Sequence, residues 1–183
     1  MSHVLLLPGN NTLSHVAKAL VLRSALQARG HTVSMAINAA RADFLRRNAI
    51  PFEHVLPDLQ DADGGNRPSS FWFRPEHVGR VLHAGLELLR RLRPNRVLGV
   101  FRFTAPISAA LAGIPYDSVS CGAMLPTLPG PLGFHADEPG AAAQAEALDF
   151  FRRSCARRMN PALARLGHPP VADLLELQFG ART

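Results

Sequence analysis

The feature that most constrains the fold is an alternation: a short apolar run, a turn, then apolar residues at helical spacing, repeated along the chain. Val4-Leu5-Leu6-Leu7 reads as a strand, Pro8-Gly9-Asn10-Asn11 as a turn, and about Ser14 to Arg29 as a helix. Val16, Ala19/Leu20 and Leu26 form a wide apolar stripe on that helix, with Lys18 and Arg29 outside it. Gly30 supplies the positive-φ residue that stops it. Further strands are expected at His31–Ile37, Phe52–Leu56, Val97–Phe103 and Tyr116–Ser120. Helices are expected at Arg41–Asn48, Pro75–Leu92, 104–111 and 141–166. Thr104 is the expected N-cap of the 104–111 helix, and Pro161 is expected to kink or divide the last one. Strands alternating with helices imply an α/β fold: a Rossmann-like parallel sheet with helices on both faces.

Two segments break the pattern. The stretch 57–75 holds three aspartates, Gly64-Gly65 and Pro68 before the aromatic cluster Phe71-Trp72-Phe73. The second, from Met124 to Gly140, is rich in proline and glycine and contains Phe134. Loops of this length inside a compact domain usually carry function.

With 183 residues, 47% of them apolar, the chain suits one well-buried domain and leaves no room for a second full one. No apolar run reaches the roughly 18 residues of a membrane span. The N-terminus lacks the basic flank and apolar core of a signal peptide, so a cytoplasmic location is expected. Cys121 and Cys155 are far apart and form no metal-ligand spacing, which makes both of them candidate buried small hydrophobes. The formal charge is +6, but all but one of the twenty basic residues are arginines, spread in pairs such as Arg46-Arg47 and Arg152-Arg153. That distribution fits solvated helix faces better than a nucleic-acid groove, and nucleic acid is not an expected partner.

His15 is the first candidate for chemistry, because the mouth of the first strand-to-helix turn is where ligands bind in open α/β sheets. Taken alone, the residue also suits a plain structural role, with its ring bonded to nearby backbone. Pro8-Gly9-Asn10-Asn11 is not a Gly-x-Gly-x-x-Gly fingerprint, and no acidic residue ends the second strand. A dinucleotide oxidoreductase is thereby disfavoured and no cofactor is expected. His135, Asp137 and Glu138 lack partners at a defined spacing, and no metal is expected. Phe71-Trp72-Phe73 suits either the wall of an apolar pocket or a loop packed over the sheet edge.

Four stretches, taken in order and spacing, resemble the N-terminal, acceptor-binding half of a GT-B fold UDP-glycosyltransferase, of the kind that modifies macrolides and other secondary metabolites. They are Val4-Leu5-Leu6-Leu7-Pro8-Gly9, Ala28-Arg29-Gly30-His31-Thr32-Val33, Arg93 through Arg102, and Thr104 through Tyr116 with its Ala112-Gly113-Ile114-Pro115. The likeness covers essentially the whole chain, 1–183. It implies an inverting transfer of a hexose from a UDP-sugar, with His15 as the general base that takes a proton from an acceptor hydroxyl. It also implies a hydrophobic acceptor held by Asn10, Asn11, Phe71, Trp72, Phe73, Met124 and Phe134.

The sequence departs from that family at defined points. Ser14 and Lys18 stand where the family motif has glycine and proline, and Asn95 and Arg96 replace an aspartate and an apolar residue. Val100 stands where an aspartate usually orients the histidine. Nothing matches the family's second domain, which holds the nucleotide sugar, and 166–183 resembles the segment that leads to it. The expectation is a domain inactive alone, which binds nucleotide sugar only with a partner chain supplying the missing half. The alternative is a non-catalytic accessory protein or remnant, or a truncated reading frame. An apolar cleft left without its second domain favours homo- or hetero-oligomers.

Overall fold

In a computed structural model, the described residues are 1–9, 12–55, 73–121 and 138–179. The order of elements is β1 (His3–Pro8), α1 (Leu13–Ala28), β2 (Thr32–Ile37), α2 (Ala39–Arg47), β3 (Glu53–His54), α3 (Pro75–Leu92), β4 (Arg96–Val100), α4 (Thr104–Leu111), β5 (Tyr116–Val119) and α5 (Ala141–Arg165). A 3₁₀ turn at Leu174–Leu177 follows. The five strands form one parallel sheet in the order β3-β2-β1-β4-β5. The Rossmann-like α/β reading is therefore correct.

Strand β1 lies at the centre of the sheet, and the period of two along it divides the core. Leu5 and Leu7 point to one face, where they join Val97, Leu88 and Leu89 of α3, and Ala105 and Ala109 of α4. Val4 and Leu6 point to the other, against Val16 and Ala19 of α1, Leu45 of α2 and Val100 of β4. The helices occupy opposite faces because the chain builds outward from β1 first through β2 and β3, then returns to add β4 and β5 on the other side. Right-handed crossovers in opposite directions place their helices on opposite faces.

Helix α5 forms a further layer over α3 and α4. Cys155, Met159 and Leu163 are fully buried there with Phe73, Leu82 and Ile107. Pro161 lies inside this helix without dividing it, and Asn160 beside it exchanges two hydrogen bonds with the Val171 backbone, at 2.9 and 3.1 Å. Arg152 ties the same helix to the 3₁₀ turn, its Nε donating to Asp173 at 3.0 Å while Nη2 donates to Asp149. Asp173 in turn caps the 3₁₀ turn by accepting from the Leu175 N–H at 2.8 Å.

Several local expectations need correction. Strand β4 ends at Val100 because Phe101 adopts φ 56°, the left-handed region, which an extended strand cannot accommodate. Thr104 is the first residue of α4, and Phe103 holds the N-cap position without a side-chain cap bond. Strand β3 has only two residues. Of the two cysteines, Cys155 is buried but Cys121 is exposed. Arg152 departs from the picture of solvated arginine faces, since two carboxylates hold it partly buried.

Phe73 is enclosed by the α3–α5 core, with edge-on contacts to Phe103 and Phe151 at 6.4 Å between ring centroids. Phe73→Ala is expected to lower stability by about 3–5 kcal/mol in urea unfolding. Phe150→Ala, which removes a ring 69% exposed, should change it by less than about 0.5 kcal/mol.

Candidate functional site

The sheet order reverses between β1 and β4, and the crevice beyond the carboxyl ends of these two strands is where α/β folds bind ligands. Pro8 and Val100 are partners at the end of that pairing, and the Gly9 N–H extends the ladder by donating to the Val100 carbonyl at 2.7 Å. Gly9 is required by close approach, because a Cβ at this position would overlap the Phe101 carbonyl oxygen.

Into this corner the first turn of α1 delivers His15, whose side chain is 8% exposed. Its ring lies nearly parallel to that of Phe101, with centroids 4.9 Å apart and an interplanar angle of 17°. Nδ1 faces Gly9, is buried and has no hydrogen-bond partner among the described residues. Burial holds the imidazole below its ordinary value of 6.5, and the Lys18 ammonium one turn along the same helix adds to the effect. The Gly9 backbone acts in the opposite direction without forming a hydrogen bond of regular geometry. The positive end of the α1 dipole also disfavours an imidazolium in the first turn. Burial, Lys18 and the helix dipole thus favour the neutral imidazole over the imidazolium.

Val100, at the position where a carboxylate orienting His15 was sought, is fully buried among Val4, Leu6 and Val16. It supplies no hydrogen bond to the ring. Asp117, on the neighbouring strand β5, is engaged by Arg96 at 2.6 Å. Among the expected site residues, then, the structure places His15 in the crevice and Phe73 in the core beneath α3 and α5. Asn10, Asn11, Phe71, Trp72, Met124 and Phe134 lie outside the described residues. Phe101 and Gly9 were not singled out from the sequence as site residues. The apolar alternation of Phe101 and Phe103 continues that of β4, which hid the turn that brings Phe101 onto His15.

Among the described residues, no group of three or more His, Cys, Asp or Glu side chains is placed to hold a metal ion. No helix among them is long and apolar enough to cross a membrane.

Because the folded value of His15 is the lowered one, the unfolded chain takes up this proton first as pH falls. The contribution of His15 to stability is complete above pH 6.5 and is lost as pH drops from there to the folded value. Urea unfolding across that window should show the slope in the wild type and a shallower one in His15→Gln, while an unchanged slope would remove the group from the account.

No protein-family model matches the chain. An N-acetylglucosamine transferase of Thermus thermophilus, acting by its name from UDP-N-acetylglucosamine on N-acetylmuramyl-(pentapeptide) pyrophosphoryl-undecaprenol, is 34% identical over 120 residues, 61% of this chain and 33% of its own length. A PGL/p-HBAD biosynthesis rhamnosyltransferase of Mycobacterium bovis is 26% identical over 111 residues, 60% of this chain and 24% of its own length. Among solved structures, the Streptomyces sp. SF2575 glycosyltransferase SsfS6 matches with a TM-score of 0.58 at 21% identity, covering 94% of this chain and 48% of that one. The chain thus spans a third or less of these curated relatives' length and about half of SsfS6. In sequence the chain is similar to parts of these glycosyltransferases, and its fold is that of about half of SsfS6, a Rossmann-like domain of the GT-B kind.

Proposed function

We propose that the chain is the acceptor-binding half of an inverting, UDP-sugar-dependent hexosyltransferase, inactive alone, in which His15 is the general base. The observation that carries this reading is the placement of His15, buried in the first turn of α1 at the β1–β4 switch point. A base must hold a free lone pair near neutral pH, and burial, Lys18 and the helix dipole all act to keep the His15 proton off. Nδ1 is sealed against Gly9, so Nε2 is the nitrogen for proton transfer. It takes the proton of an acceptor hydroxyl while the hydroxyl oxygen attacks the anomeric carbon, and the nucleoside diphosphate leaves with the electron pair of the broken bond.

The relatives support a nucleoside-diphosphate sugar as donor, although they differ in the base. The Thermus enzyme is named for UDP-N-acetylglucosamine, and SsfS6 has also been solved with thymidine diphosphate. In this reading the nucleotide-sugar half lies outside these 183 residues, and a hydrophobic acceptor sits against the segments that carry Asn10, Asn11, Phe71, Trp72, Met124 and Phe134. Phe73 anchors its segment from within the core.

A second reading is favoured by one observation: Val100 leaves His15 without a carboxylate to stabilise its protonated form. In that case the chain is an accessory protein that binds an apolar acceptor without chemistry.

One set of assays separates the two. The chain is mixed with nucleotide-sugar-binding halves of related enzymes, and sugar transfer to hydrophobic alcohols and phenols is followed by mass spectrometry. The catalytic reading expects no transfer by the chain alone, transfer by the mixture, and a loss of about 10²- to 10⁴-fold in His15→Ala. Absence of both association and transfer with every half would overturn it. Equal acceptor binding by wild type and His15→Ala, again without transfer, would establish the accessory role.

A further inference from the structure

We propose that Phe101 is the positioning residue of His15, holding the imidazole by stacking where a carboxylate would otherwise hold it by a hydrogen bond. The proposal rests on the reading of His15 as the base. Its support, however, is geometric and independent of any substrate.

Three observations converge on Phe101. Its ring lies 4.9 Å from the His15 ring at 17°, a face-to-face arrangement that fixes the plane of the imidazole. Its backbone has φ 56°, an unfavourable conformation for a residue with a Cβ. Such strain persists only where the surroundings over-determine it. Gly9 then allows the Phe101 carbonyl to approach the end of β1, closing the turn against the strand that precedes His15. An ordinary exit from β4 would carry the ring elsewhere, and a side chain at residue 9 would block the turn.

Stacking and a carboxylate do different things to a base. A carboxylate orients the ring and also stabilises the imidazolium, raising its pKa. A phenyl face orients the ring but excludes water from one side of it, which favours the neutral form. Among the described residues, the elements packed around His15 bring no carboxylate to counter this: Lys18 on α1 acts in the same direction, β1 contributes Gly9, and the end of β4 contributes Val100 and Phe101.

The test is read on the imidazole itself in the full chain, by NMR titration of the His15 ring protons. A stacked phenyl shifts these protons upfield through its ring current. Phe101→Gly removes the ring while suiting the left-handed backbone, so the turn is retained. Phe101→Tyr keeps the ring and serves as rescue. The expected result is upfield-shifted His15 protons with a midpoint below 6.5 in the wild type and Phe101→Tyr. In Phe101→Gly the upfield shift should disappear and the midpoint rise toward 6.5.

Phe101→Leu provides a second ring-free variant, and urea unfolding identifies which variants are folded. A folded ring-free variant that retains the upfield shift would overturn the proposal whatever its midpoint, as would failure of Phe101→Tyr to preserve that shift. These outcomes do not depend on transfer. If no partner half restores activity but the stacking signature follows the ring at residue 101, the base reading fails and the positioning of His15 by Phe101 stands.

Discussion

The central place of β1 is the constraint on which the rest depends. A strand paired on both edges and covered on both faces must be apolar throughout, and Val4 to Leu7 meet that requirement. Because β2 and β4 flank it in the opposite order from a simple progression, the chain must leave β1 in one direction and later return on the other side. That reversal opens a crevice at the carboxyl ends of β1 and β4. Gly9 at the end of one strand and Phe101 after the other meet in it, and His15 lies over their junction.

The same reversal shapes the electrostatics. Strand ends and a helix N-terminus converge with no carboxylate acting on His15 among the described residues, and this environment discourages positive charge on the ring. Polar anchoring is instead found at a distance from this corner. Arg96 and Asp117 tie β4 to β5, and Arg152 joins α5 to the 3₁₀ turn through Asp173. These pairs hold the scaffold together while the surroundings of His15 disfavour its charged form.

Much of the fold was legible because its signals are local. Helix α3 begins at Pro75 and ends at Leu92 as its spacing indicates, and Gly30 takes φ 81° just past α1. His15 could also be placed from sequence, since the end of β1 and the start of α1 are each marked by nearby residues. Its surroundings could not. The stack on Phe101 joins segments far apart in the chain and depends on a backbone conformation contrary to the preference of phenylalanine. Pro161 shows the converse: the prohibition against proline within a helix is local, whereas Met159, Ala162 and Leu163 pack the same turn into the core. For Phe73, the aromatic cluster was visible, but burial under α5 is set by tertiary packing.

The contrast between the two cysteines gives the domain a built-in chemical address. Cys155 is sealed under α5, its thiol pushed up to about 11 by burial, so it holds its proton and reacts slowly. Cys121 is exposed just after β5, at the same carboxyl edge of the sheet as the His15 crevice. A thiol-directed dye therefore attaches at one defined point on the unaltered chain. Placed at that edge of the sheet, it makes the carboxyl ends of the strands accessible to an optical reporter without any engineered residue.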